Sequence, residues 1–302
     1  MWTEAFLRYI RYEKNYSAHT VLSYGKDLDE FADYLAHEAE GTKPEAAHRD
    51  HVRNWAASLM EAGDTPRTVA RKLSALRTFY NFLIKKGVIG ETPMRDVALP
   101  KAPKPLPVFV RPDEMNMLLD EKVADDDFPA LRDKLIITLL YMTGIRRAEL
   151  IGLRDADVDT QACQLKVTGK RNKQRIVPFG AELREAIEVY RRARRASVGN
   201  DSPAFFVKND GEPLYPGFVY RLVTGRLGEV TTLTHRSPHV LRHTFASAML
   251  NNGAELNSVK ELLGHQSLAS TQVYTHITFE ELKNSYKQAH PRASKKGGFY
   301  GN

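Results

Sequence analysis

The sequence has a single cysteine, Cys163, which excludes an internal disulfide and any zinc cluster built on cysteines. Cys163 reads as a small packing residue on a strand. No stretch carries the long uncharged apolar run that a membrane span needs. The N-terminus from Met1 to Arg11 mixes apolar residues with Glu4, Arg8 and Arg11 and lacks the basic-then-apolar order of a signal peptide. A cytoplasmic protein with no membrane partner is expected. No internal repeat is visible, and only the tail Ser294-Lys295-Lys296-Gly297-Gly298 has the composition of a disordered segment.

What is present is enough for two compact domains: 302 residues, 42% of them apolar. The net charge of +7 is unevenly placed. Residues 1–99 carry 14 basic and 14 acidic side chains, whereas residues 165–200 alone carry 10 basic and 3 acidic. Such a concentration fits a polyanion partner, since Lys and Arg displace counterions from phosphates. A solvated helix face is the other reading, and charge alone leaves both open.

The first hundred residues read as a helical bundle. Val21, Leu22, Tyr24, Leu28, Phe31 and Leu35 follow three-and-four spacing behind Ser17 as an N-cap. Asp50 is the expected cap of the next helix, with Val52, Trp55 and Leu59 inward. Thr65-Pro66 places a cap before a first-turn proline, and Val69, Leu73, Leu76, Tyr80 and Leu83 form one stripe that Gly87 stops. The polar faces hold Lys26, Arg67, Arg71, Lys72 and Arg77, candidates for contact with a DNA backbone; simple solvent exposure is the competing reading for each.

Residues Pro100 to Pro107 read PKAPKPLP, four prolines in eight residues, which favours an extended connector. The expected division is a helical domain at 1–99, a linker at 100–108 and a second domain at 109–302. In the second, a helix follows Arg111-Pro112-Asp113, and a long apolar helix runs from Pro129 to a stop at Thr143-Gly144. Gln161–Val167 and Arg175–Val177 read as a hairpin around Gly169-Lys170-Arg171-Asn172, with Ala204–Val207 as a possible third strand. Pro238 opens a further helix, and Gly253 and Gly264 end others. The fold class is mainly α with one small antiparallel sheet.

Four separated segments concentrate residues suited to phosphoryl transfer: TGIRRAEL at 143–150, the hairpin turn with Lys170, HVLRH at 239–243, and LGH at 263–265 followed by Tyr274. Cleaving a phosphodiester without a metal requires fixed cationic donors for oxygens that gain charge in the transition state. Arginine suits this because its planar fork donates two parallel bonds and stays charged; Arg146 and Arg242 fit. A phenol such as Tyr274 is a poor nucleophile near neutrality unless a base or cationic pocket assists it. His239 can take its proton, His265 can donate to a phosphate oxygen, and Lys170 on a turn can protonate the leaving oxygen. His239 lies three residues before Arg242 and four before His243, so all three share a helix face. Ser237-Pro238 puts His239 in the first turn, where backbone N–H groups favour an anion.

Together with GKRNKQRIVPFG at 169–180, SPHVLRHTFASAML at 237–250 and LLGHQSLASTQVYTH at 262–276, these segments resemble the tyrosine recombinase/integrase family, most closely its bacterial Xer-type chromosome-dimer recombinases. The resemblance covers nearly the whole chain. It implies a SAM-like core-binding helical domain, a catalytic domain, and a clamp of the two around duplex DNA. It implies catalysis by Arg146, Lys170, His239, Arg242 and His265 with Tyr274 as the nucleophile, through a 3′-phosphotyrosyl intermediate, with no metal, nucleotide or other cofactor. The implied partners are double-stranded DNA, a homo- or heterotetramer with a related recombinase on two sites, and a septal DNA translocase as a possible activator. Arg171 and Lys173, beside the working lysine, join the candidate DNA contacts; many relatives carry a neutral residue at the positions of Arg147 and Arg171.

Competing readings remain for individual residues. Tyr274 alone could be a packed aromatic. His239 and His243 have zinc-pair spacing, but Val240 breaks H-E-x-x-H and no third ligand is evident. His243 reads as a core or orienting residue, and Glu149 as the partner that aims an arginine. Lys173 and Arg175 flank the turn and are easily mistaken for the working lysine. Phe279, Leu282 and Tyr286 suit either docking on a neighbouring protomer or packing in cis. A mobile-element integrase, a non-catalytic DNA-binding regulator and a metal-dependent nuclease are the rival functions.

Overall fold

The computed structural model describes residues 2–100, 108–169, 172–199, 202–264 and 279–293. Lys170, Arg171, His265, Tyr274, most of the proline-rich connector and the tail from Ser294 therefore lie outside the described residues. Contacts between Cα atoms divide the chain into two units, residues 1–105 and 106–302.

The first unit is helical: α1 (Trp2–Arg8), α2 (Ala18–Glu38), α3 (Arg49–Glu61) and α4 (Pro66–Lys85). Ser17 Oγ accepts from Thr20 N–H at 3.2 Å and Thr65 Oγ1 from Thr68 N–H at 3.2 Å, so one orphan amide at each helix start finds its expected cap. Asp50 is not a cap. The α3 helix opens two residues earlier than such a cap would place it, at Arg49 after His48, whose N–H donates to His51 Nδ1 at 3.2 Å, and Asp50 sits in the first turn. The apolar stripes converge on Phe6, Phe31, Trp55, Leu73, Leu76 and Phe79, all essentially inaccessible.

Lys72 must be withdrawn as a DNA contact. Its ammonium is buried and donates to Glu30 at 2.5 Å and Asp64 at 2.8 Å. Burial alone would lower its pKa, but the two carboxylates outweigh that and raise it, so the cation is fixed inside the unit. Arg71 bonds Ser23 at 2.8 Å and pairs with the buried Asp27, yet its side chain remains 43% exposed. Lys26, Arg67 and Arg77 are exposed.

The second unit begins with α5 (Pro112–Leu119) and α6 (Phe128–Thr143), followed by α7 (Arg147–Ile151). Apolar on almost every side, α6 runs through the middle of the unit, with Ile136, Leu139 and Met142 fully buried. An antiparallel sheet follows, β1 (Val158–Asp159), β2 (Gln164–Thr168) and β3 (Gln174–Pro178), in the order β1-β2-β3 with Val167 opposite Arg175. The third strand is thus Val158–Asp159 and not Ala204–Val207. Ala204 and Val207 make only isolated bridges, to Arg154 and Pro213. Cys163 is likewise off the strands, at a left-handed φ of 53° in the β1–β2 turn.

Helices α8 (Ala181–Val198), α9 (Pro216–Val230), α10 (Pro238–Asn251), α11 (Leu256–Leu263) and α12 (Phe279–Ala289) complete the unit. The basic stretch at 165–200 is partly structural. The Arg194 guanidinium, 2% exposed, donates to Asp155 at 2.8 Å and to the carbonyls of Phe205 and Ser202. It closes a loop where sequence charge suggested only a polyanion or solvent. Leu282 and Tyr286 of α12 pack in cis against Phe245, Met249 and Leu262. His290 follows, its ring stacked on Tyr286 at 5.1 Å and on Phe245 at 5.5 Å. Arg292 then ties this end to Glu182 at 2.8 Å and Asp120 at 2.7 Å.

Candidate active site

Arg146 is the residue just before α7, in extended backbone (φ −75°, ψ 151°), directly after the turn that ends α6. That turn depends on Gly144, at φ +62°, where a Cβ would lie 2.4 Å from the Phe245 ring. The site therefore needs glycine there for both conformation and space. Glu149, 2% exposed at its side chain, reaches back to accept from Arg146 N–H at 2.7 Å and from the Arg146 guanidinium at 2.8 Å. It aims the arginine, as its spacing suggested.

Arg242 projects from α10 and is buried. Its two terminal nitrogens donate to the carbonyls of Gly144 and Leu263, both at 2.6 Å. Burial, then the neighbouring Arg146 charge, lowers its pKa to about 10, which still leaves it cationic near neutrality. Arg146 donates to the next carbonyl, Gly264, at 3.1 Å. Two guanidiniums separated by 96 positions in sequence thus meet at consecutive carbonyls of the α11 C-terminus. Carbonyls at a helix end lack intrahelical partners and carry the negative end of the helix dipole, so they attract cations.

His239 occupies the first turn of α10. Burial lowers its pKa first, and the charges of His243, Arg147, Arg242 and Arg146 lower it further, so it is held neutral and able to accept a proton. His243 is exposed rather than in the core. Among the described residues no group of three or more His, Cys, Asp or Glu side chains converges as a metal site would require.

The hairpin is brought to the same place. Gly169 N–H donates to the Lys173 carbonyl at 2.7 Å, closing the turn, and Asn172 takes a left-handed φ of 58°. A Cβ on Gly169 would lie 3.4 Å from Glu149 Oε1, so the base of the turn sits against the carboxylate that holds Arg146. Lys173 itself is exposed. Sequence reasoning missed Arg175, treated only as a decoy for the working lysine. Its guanidinium grips both oxygens of Glu149, at 2.7 and 3.0 Å, and its Nε donates to the Leu262 carbonyl at 2.8 Å. A cation on an otherwise β-branched strand, Arg-Ile-Val, was the available signal.

Chemically, the site is a pocket of positive charge with one buried carboxylate and one neutral imidazole. It suits an anion whose oxygens take bidentate arginine donors, with a base alongside.

Comparison with known proteins gives the same picture over the whole length. Residues 109–281 match the family model of the phage integrase family, and residues 3–87 match that of the phage integrase N-terminal SAM-like domain. The tyrosine recombinase XerC of Bacillus subtilis is 39% identical over 300 residues, covering 98% of both chains. XerC of Chlorobaculum tepidum is 38% identical over 318, covering 97% of this chain and 95% of the relative. Two solved structures share the fold: a XerH site-specific recombinase bound to its difH substrate (18% identical, TM-score 0.66, covering 95% of this chain and 94% of that one) and a Tn1549 transposon integrase in complex with a circular intermediate DNA (21%, TM-score 0.68, 95% and 99%). With sequence likeness at this level running from one end to the other, the chain belongs to the phage integrase family, the tyrosine recombinases.

Proposed function

We propose that this chain is a site-specific recombinase that cuts and rejoins duplex DNA and resolves chromosome dimers at a short, roughly two-fold symmetric site. The observation that carries the chemistry is the meeting of Arg146 and Arg242 at the end of α11, with neutral His239 beside them. In this reading the two guanidiniums bind the non-bridging oxygens of the scissile phosphate. The Tyr274 hydroxyl attacks phosphorus, giving its proton to His239. The bond to the 5′ oxygen breaks as Lys170 protonates it, and His265 donates to a phosphate oxygen. A 3′-phosphotyrosyl ester and a 5′-hydroxyl result, and a 5′-hydroxyl from a partner duplex reverses the step. The ester conserves the bond energy, so neither ATP nor a metal ion enters the balance.

Residues 1–99 serve as the core-binding domain and 109–302 as the catalytic domain. Exposed Lys26, Arg67, Arg71 and Arg77, with Lys173 and Arg171 at the hairpin, are the proposed phosphate contacts. Four protomers of this chain, or of this chain and a related recombinase, act on two sites in the cytoplasm, with a septal DNA translocase as activator. The full-length likeness to relatives named XerC favours chromosome-dimer resolution over a mobile-element role.

A nicked suicide duplex tests the proposal. The wild-type chain is expected to become covalently attached to DNA in EDTA, and Tyr274→Phe is not. Loss of attachment in EDTA, or attachment by the phenylalanine variant, overturns the mechanism.

A further inference from the structure

Three successive carbonyls at the C-terminus of α11 each accept from a different arginine: Leu262 from Arg175 at 2.8 Å, Leu263 from Arg242 at 2.6 Å, and Gly264 from Arg146 at 3.1 Å. Two of these arginines hold the reacting phosphate in the reading above. The third has all three of its nitrogens engaged within the protein, Nε on Leu262 and both terminal nitrogens on the Glu149 carboxylate at 2.7 and 3.0 Å. We propose that Arg175 is a positioning residue for strand cleavage, acting through Glu149 and the α11 terminus to fix the hairpin turn against the two phosphate-binding arginines.

The argument is geometric. Arg175 stands on β3 opposite Val167 on β2, one rung in from the turn that carries Lys170. Its guanidinium is 14% exposed and joins three chain segments. The first is its own hairpin. The second is the residue 146–149 turn, because Glu149 accepts simultaneously from Arg175 and from the Arg146 backbone and side chain. The third is the α11 end, from which the chain runs directly to position 265. A Cβ on Gly264 would lie 3.1 Å from an Arg175 nitrogen, so glycine is what allows the guanidinium to lie against that terminus. Bidentate pairing fixes direction as well as distance, which a single lysine donor does not. Burial pushes the Glu149 carboxyl up, but bonds from Arg175 and Arg146 outweigh it and hold the pKa below the usual range, so the clasp stays charged. Without Arg175, Glu149 and Arg146 would still pair, but the hydrogen bonds that tie β3 and the Leu262 carbonyl to that pair would be lost.

This rests on the recombinase reading, and the test separates the two. With the nicked duplex at saturating protein, Arg175→Gln is expected to slow covalent attachment on the order of 10²-fold, the scale of a misplacement near 1 Å. The dissociation constant for the same duplex should stay within about threefold, since ground-state contacts are untouched. The double variant Arg175→Gln/Glu149→Gln should be no slower than the slower single variant, because both changes cut one connection. Arg175→Lys, checked for folding by its melting temperature, keeps the test open should the glutamine variant fail to fold; it too should slow attachment without weakening binding. A wild-type saturated rate in the folded variants overturns the positioning role, as does a loss confined to DNA affinity or a double variant whose losses multiply. Failure of the wild-type chain to attach at all overturns the recombinase reading instead.

Discussion

The guanidinium of Arg242 donates to the carbonyl of Gly144 at 2.6 Å, joining the middle of α10 to the turn that launches Arg146. Gly144 presents that carbonyl from a left-handed backbone, φ +62°, at the end of α6. One arginine is therefore seated by the turn that aims the other.

Gly144→Ala is expected to break this seat. The left-handed conformation costs roughly 1–2 kcal/mol for a residue with a Cβ. The new methyl would also meet Phe245 at 2.4 Å and Leu263 at 2.8 Å, and overpacking of this kind costs a further ~1–3 kcal/mol. The urea midpoint should fall accordingly, and covalent attachment to a nicked duplex should drop even where the variant is folded. A variant as stable and active as wild type would show that the turn relaxes freely.

His290 sets a pH dependence of stability. Burial among Tyr141, Phe245 and Tyr286 lowers its pKa from 6.5 to about 3. Between those values the unfolded chain binds a proton that the folded chain does not, so stability is fully present above pH 6.5 and is lost as pH falls toward 3. At pH 5, one and a half units into that window, the loss is roughly 2 kcal/mol. His290→Phe, which keeps the ring stack, should flatten this part of the profile in urea melts taken from pH 7 to pH 5. An unchanged slope would assign it to other groups.

The helices were legible because their signals are local. Ser17 and Thr65 cap, Gly87, Gly144 and Gly264 stop, and the stripes between them face inward as their spacing implies, except at Leu22, which α2 leaves 58% exposed. The errors share a different cause. Asp50, Lys72 and Ala204–Val207 follow residue type in the sequence, while their fates are set by partners far away or, for Asp50, by a cap two residues earlier. Lys72 resembles any surface lysine until Glu30, 42 positions upstream, is folded beside it. The motifs point to Arg146, Arg242 and His239, but the convergence of the two arginines on the α11 carbonyls is long-range and has no sequence signature. Arg175 was passed over for the same reason.

The fate of Lys72 makes a contrast among the basic residues of the first unit. Replacing exposed Lys26, Arg67 or Arg77 by Ala should weaken DNA binding at all sequences and reduce the salt slope by about one each. Lys72→Met should leave both unchanged. It removes a partner from Glu30 and Asp64, which are partly exposed (44% and 31%), so the expected cost is in stability and limited to about 1 kcal/mol. Binding titrations across a salt series distinguish the two behaviours. A lowered salt slope for Lys72→Met would return it to the interface.

His239 makes the cleavage reaction itself pH-dependent. Its pKa is held below 6.5 by burial first and then by the surrounding His243 and arginine charges, so the proton-accepting form already predominates near neutrality. At subsaturating DNA, the cleavage rate reports the free protein's ionisations. The acid limb of that profile should therefore have its midpoint below 6.5, and His239→Gln should lower the plateau while removing the limb. Arg242, cationic up to about pH 10, contributes nothing to this limb, so the assignment is not confounded by the phosphate-binding groups. A midpoint above 6.5 in the wild-type chain would mean that some other group takes the tyrosine proton.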